Sequence, residues 1–175
     1  DFSTAAGRFV ADSLGSVARL EVEMKSDRQR RAQEQAARAG KRSGGRRPFG
    51  YESDGLTINK PEAQALRAGY RGYLSGVPLA QIAMSWNAAG LHGAQARRSP
   101  GHVGEPSRWT GQSVRLVLSN PRNAGLRAYR GEIVAKAVWP ALVSEETWRA
   151  AESRMRARRA APRKLAKRLL SGIAI

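Results

Sequence analysis

Thirty-six consecutive residues, Thr4 to Ala39, contain no proline, and a glycine, Gly40, follows them. A stretch this long without the residue that breaks helices, with Ser3 and Thr4 as caps and a glycine stop, predicts one long helix. Along its first half Val10, Leu14, Val17 and Met24 recur at spacings of four, three and seven, with Glu21 at the intervening position. That is a heptad-like stripe. From Ser26 onward the stripe stops, although Gln29, Gln33, Gln35 and the alanines still favour helix. The two halves cannot be buried in the same way. The first half is expected to pack on protein, with Val10, Leu14, Val17 and Met24 as candidate oligomer-interface residues. The second half is expected to run through solvent or along a polyanion.

Charge narrows the partner. The chain carries 31 Lys and Arg against 14 Asp and Glu, a net +17 over 175 residues. Residues 26–48 hold 8 basic and 2 acidic side chains, and residues 108–160 hold 11 and 4. Between them residues 49–107 hold only 5 and 4. Two basic zones therefore flank a near-neutral body, an arrangement suited to phosphate contact at both ends. With 41% apolar residues a modest core is available, so wholesale disorder is not expected. No apolar run reaches the ~18 residues of a membrane helix, and no charged-then-apolar leader opens the chain. The absence of cysteine excludes disulfides and Cys-ligated zinc within these residues, and two histidines, His92 and His102, cannot build a multi-histidine site. A soluble, cytoplasmic, nucleic-acid-associated protein without a membrane partner is expected.

The basic, glycine-rich Lys41-Arg42-Ser43-Gly44-Gly45-Arg46-Arg47-Pro48 reads as a linker, with Phe49 and Tyr51 anchoring it to a folded body. Pro61 opens a helix that Gly76 ends. A second helix, about Leu79 to Ala89, stops at Gly90, and residues 91–107 read as a loop. Thr110 caps a third helix whose inner stripe is Val114, Val117 and Leu118, ended by Asn120-Pro121. Residues 126–138 read as a hairpin turning at Arg130-Gly131. Ser144, followed by Glu145 and Glu146, starts a last helix to about Arg159. The expected fold class is mainly α with a small β-hairpin (α+β), a long N-terminal helix leading into a compact winged-helix-like DNA-binding domain. Its expected divisions are 1–39 long helix, 40–60 basic linker, 61–160 body and 161–175 a further linker.

Two helices and a hairpin of this order suit DNA reading, in which polar side chains of the second helix bond base edges in the major groove. Gln112, Ser113 and Arg115 are the candidate base readers, with Arg127 and Arg130 on the hairpin. Arg28, Arg30, Arg31, Arg38, Lys41, Arg42, Arg46 and Arg47 are the candidate phosphate or minor-groove contacts. Catalysis finds little support. Both histidines fall in the loop, the serines lack an activating partner, and Asp54, Glu62, Glu132 and Glu152 are scattered instead of paired. The glycine-rich stretch lacks the order of a phosphate-binding loop.

Taken together, "DFSTAAGRFVADSLGSVARLEVEMKSDR", "GKRSGGRRPFGY", "WTGQSVRLVLSNPRNAG", "VWPALVSEETW" and "RLLSGIAI" resemble, in order, segments of the large serine recombinases, the phage-type serine integrases. The resemblance implies a fragment: the end of a catalytic domain, its interdomain helix and a recombinase domain. It implies that the nucleophilic serine lies upstream of Asp1, so that this chain is inactive alone. It also implies no cofactor in this chain, zinc being expected only in a downstream domain. The implied partners are attachment-site double-stranded DNA and further copies, as homodimer or tetramer of the full-length protein, encoded by a bacterium or phage. One departure is Val22, where many relatives carry an arginine. The competing readings are a general basic nucleic-acid-binding protein and a winged-helix transcription regulator. The first would prefer no DNA sequence, and the gene of the second would encode no nucleophile domain.

Overall fold

The proline-free stretch forms one helix, α1 (Ala5–Arg38), about 50 Å long at 1.5 Å per residue. A computed structural model describes residues 4–42, 44–93 and 108–160. Ser3, Ser43, residues 94–107 with His102, and residues 161–175 lie outside the described residues, as do the side chains of Val10 and Leu14. Helix α1 ends in a Schellman motif. Gly40 N–H donates to Ala37 O and Lys41 N–H to Ala36 O, both at 2.9 Å, with Gly40 at φ +69°. Gly40 also docks the helix, since its carbonyl accepts from Val138 N–H at 3.1 Å. A Cβ at Gly40 would collide with the carbonyl oxygen of Lys136.

After α1 the described residues form four shorter α-helices and a hairpin: α2 (Lys60–Leu74), α3 (Leu79–Ala88), α4 (Gly111–Leu118), β1 (Leu126–Tyr129), β2 (Glu132–Lys136) and α5 (Glu145–Ala160). The expected mainly helical α+β class holds. Local chemistry explains each start. Asn59 caps α2 by accepting from Glu62 N–H, with Pro61 in the first turn. Thr110 and Ser113 form a capping box at α4, and Ser144 Oγ accepts from Thr147 N–H at α5. Between α4 and β1, Pro121–Ala124 winds into a 3₁₀ turn that the sequence reading did not foresee. The strands pair antiparallel, Tyr129 opposite Glu132, with a bulge between Arg127 and Ala128. Both residues of the connecting turn, Arg130 and Gly131, have positive φ (52° and 88°). That geometry matches the right-handed twist of paired strands.

Helix α2 packs on α3, α4 and α5, and the hairpin packs on the 3₁₀ turn and the end of α1. Three rings fill one end of the core. Phe49 stacks on Trp86 with centroids 4.9 Å apart, and Trp109 meets both edge-on at 4.7 and 4.8 Å. The folded body thus takes in Phe49 and the fully buried Tyr51, ahead of the Pro61 start read from the sequence, because their rings complete this packing.

Two polar side chains tie the layers. Tyr70 Oη donates to Leu118 O at 2.6 Å and accepts from Asn123 Nδ2 at 3.0 Å, while Asn123 also donates to Val117 O. The same Asn123 offers its carbonyl to the amides of Leu142 and Val143. Helix α5 is pinned at two points, Trp148 Nε1 donating to Ser119 O and Arg154 Nη1 to Leu74 O. It therefore braces the C-terminal end of α4 from one side.

Candidate nucleic-acid interface

Helix α4 presents two faces. Val114 and Leu118 are fully buried against the core. Gln112, Arg115, Leu116 and Ser119 face an open groove between α4 and α5, whose far wall carries Glu152, Met155 and Arg156. The two sets follow from 3.6 residues per turn, which puts positions 112, 115, 116 and 119 on one side. The helix start is fixed from α3. Asn87 Oδ1 accepts from Trp109 N–H at 2.8 Å, and Asn87 Nδ2 donates to Trp109 O at 2.9 Å. A helix clamped at its first turn and flanked by α5 holds its outer side chains in fixed register.

Gln112 and Arg115 stand where the sequence reading put them, on the outer face. Ser113, also expected as a base reader, has a structural use. Its hydroxyl accepts from Thr110 N–H at 2.8 Å and donates to Thr110 O at 2.9 Å, so the capping box consumes it. On the hairpin, Arg127 is half-buried, with Nη1 donating to Ala128 O and Nε buried without a partner, which withdraws it from solvent. Arg130 stays exposed at the hairpin tip, its guanidinium 5.4 Å from the Tyr129 ring centroid. Arg130 and Arg38 line the same cleft, between α1 and the hairpin.

The basic half of α1 is exposed. Arg28, Arg31 and Arg38 share one side of the helix, while Ala37, nine residues and two and a half turns beyond Arg28, is fully buried on the opposite side. The alanine side meets the hairpin, Arg38 borders the cleft beside it, and Arg28 and Arg31 are left to solvent. Arg30 pairs with Asp27 and Arg38 with Glu34, each at 2.9 Å and well exposed, so neither pair ties up its cation strongly. Val17 and Met24 are more than half exposed, as are Phe9, Leu20 and Val22.

The linker cations split into two kinds. Lys41 and Arg46 are exposed. Arg42 is bound internally, its guanidinium donating to the carbonyls of Gly45, Ser53 and Asp54. Arg47 is bound more tightly still. It donates to both carboxylate oxygens of the buried Glu62 and, at 2.6 Å, to Tyr51 O. The Glu62 hydrogen bond raises the Arg47 guanidinium above its ordinary value, outweighing the opposite pull of burial. Arg42 and Arg47, expected as phosphate contacts, also serve as clamps that shape the linker, because the folded chain supplies them with oxygen acceptors of its own.

The Recombinase family model matches residues 60–158. The chain belongs to the Recombinase family. No curated protein matches it. Among solved structures, the chain is similar to the protein of "Crystal Structure of a LSR-DNA Complex" (LSR, large serine recombinase), at TM-score 0.58 and 18% identity. The likeness covers 82% of this chain and 42% of that one, so this chain spans less than half the length of that relative. The resemblance to serine recombinases read from the sequence holds at the level of family and fold.

Four residues of the recombinase domain escaped the sequence reading. Leu116 and Arg156 belong to the groove, Asn87 sets the start of α4, and Arg122 joins linker to hairpin. The Arg122 guanidinium lies 3.9 Å from the Trp139 ring centroid and 4.8 Å from that of Tyr51, and it donates to Gly55 O. Burial holds it below the usual arginine value, and Arg42 and Arg127 push the same way. Only the Glu152–Arg156 spacing of four, on a strongly helical segment, was a usable signal. Among the described residues no group of three or more His, Asp or Glu side chains could hold a metal, and no helix is long and apolar enough to cross a membrane.

Proposed function

We propose that this chain is the DNA-binding region of a site-specific serine recombinase, recognising attachment-site duplex through α4 and holding the backbone through α1 and the linker. The observation that carries it is the outer face of α4. A helix of the Recombinase-family body, flanked by α5 and clamped by Asn87, turns the exposed Gln112 and the half-buried Arg115 onto a groove that also carries Glu152 and Arg156. Glutamine and arginine are the side chains that bond adenine and guanine edges two-pronged in the major groove. The similar solved protein is described as a complex with DNA, which agrees with this reading.

The second contact comes from exposed cations. Arg28, Arg31, Arg38, Lys41 and Arg46 lie on one helix side and the segment that continues it. Their spacing suits the phosphate backbone, which fixes register without carrying sequence. The exposed apolar residues Val17 and Met24 support an oligomer contact in the full-length protein.

The test is a titration of fluorescent duplex at several salt concentrations. Five cations each meeting one phosphate give a slope of log K against log salt of about −4 to −5. A slope near zero, or equal affinity for single-stranded RNA, contradicts the reading.

A further inference from the structure

Leu116 is the one side chain on the outer face of α4 that helix chemistry does not explain. It is 64% exposed, while its neighbours in the chain, Val114 and Leu118, are completely buried. The core does not need it. With the largely buried Met155 on the far wall, it makes an apolar patch in a groove otherwise set by Gln112, Arg115, Ser119, Glu152 and Arg156. A large aliphatic group left in water among cations has a use where the incoming surface is both anionic and locally apolar.

The duplex major groove is such a surface. It carries phosphates along both rims and, at each thymine, a C5-methyl group on the floor. Gln112 precedes Leu116 by one turn of the same face, so a base edge bonded by Gln112 lies within one helical turn of the Leu116 side chain. The basic side chains beside it, Arg115 and Arg156, supply the matching charge for the rims. Arg156, well exposed, pairs with Glu152 at 2.6 Å beside the groove and stays available to an anion.

We infer that Leu116 is a specificity-determining residue that packs on a thymine methyl in the bound half-site, next to the base read by Gln112. This rests on the reading of α4 as the base-reading helix. A wrong base there leaves the leucine against a polar edge, so the contact selects by desolvation, without a hydrogen bond.

The probe is deoxyuridine, which differs from thymidine only by that methyl. Half-site duplexes enriched by the 175-residue chain from random DNA are remade with each thymine replaced singly by deoxyuridine. Binding is then measured for the native chain and for Leu116→Ala, an exposed substitution whose melting curve is expected to match the native one. One replacement is expected to weaken the native chain three- to fivefold, the value of one buried methyl, and to leave Leu116→Ala unaffected. If no replacement matters, or if the sensitive one weakens both proteins equally, the assignment of Leu116 is overturned while the reading of α4 stands. If the chain enriches no sequence, or if Gln112→Ala and Arg115→Ala enrich the same sequence as the native chain, α4 is not the base reader and the assignment falls with it.

Discussion

The guanidinium of Arg47 grips the carboxylate of Glu62 with two parallel hydrogen bonds, Nη1 to Oε2 at 2.9 Å, and this pair joins the basic linker to the first turn of α2. Glu62 Oε2 also accepts from Gly50 N–H at 2.8 Å. One mostly buried carboxylate thus satisfies a cation and a backbone donor together. The pair holds Phe49 and Tyr51 over the core.

Glu62→Ala is therefore expected to destabilise the fold by about 2 kcal/mol, since it leaves the Gly50 amide and a partly buried guanidinium without their acceptor. Urea unfolding measures this. A change within a few tenths of a kcal/mol contradicts the structural role of the pair.

The two neighbouring linker arginines are expected to behave differently. Arg46→Ala is expected to leave the melting temperature unchanged and to reduce the salt slope of DNA binding by about one. Arg47→Ala is expected to lower the melting temperature. Melting curves and salt titrations of the two variants, run side by side, distinguish them. Identical behaviour contradicts the division of the linker cations.

Gly40→Ala is expected to cost about 1–3 kcal/mol, because the residue sits at φ +69° and its new Cβ meets the carbonyl of Lys136. Amide exchange at Lys41 and Val138 is expected to quicken as α1 parts from the hairpin. Gly15→Ala is the control. That residue is helical with nothing near its Cβ position, so the change is expected to be neutral or slightly stabilising.

Alkaline stability depends on Tyr51. Burial pushes its phenol from 10.0 up to about 12, against the pull of Arg122, while Tyr51 Oη donates to Pro140 O at 2.7 Å. Between those two values the unfolded chain releases this proton and the folded chain keeps it. The contribution is complete below the unfolded value and is lost as pH rises through the folded one. Tyr70 is pushed up by burial in the same direction. Urea midpoints are thus expected to fall from about pH 10 upward, and Tyr51→Phe is expected to flatten part of that fall. An unaltered alkaline limb in Tyr51→Phe contradicts it.

Most of the architecture was legible because it rests on local signals. The missing prolines, the Pro61 start, the Thr110 cap and the Arg130-Gly131 turn each report a backbone requirement that acts within a few residues. The outward placement of Gln112 and of the half-buried Arg115 followed from helical period alone. What stayed hidden depends on contacts far apart in the chain. Arg42 and Arg47 look the same in sequence as Lys41 and Arg46, and what separates them is Glu62 and the carbonyls of Gly45, Tyr51, Ser53 and Asp54. The part of Ser113 in the capping box was not foreseen, because its hydroxyl has two possible uses and Thr110 is the nearer partner. The turn at Pro121–Ala124 is held by Asn123 reaching Tyr70, 53 residues away, and by Arg122 reaching Gly55. No periodicity carries such information.

The most direct test is selection from random duplex DNA at low and near-physiological salt, with the native chain and Arg115→Ala in parallel. The expected result is a single enriched motif for the native chain that survives the higher salt. Arg115→Ala is expected to bind that motif about 1–3 kcal/mol more weakly and to tolerate other bases at one position. Retention that fades with salt and yields no motif, or a motif that Arg115→Ala reproduces in full, would contradict sequence reading by α4.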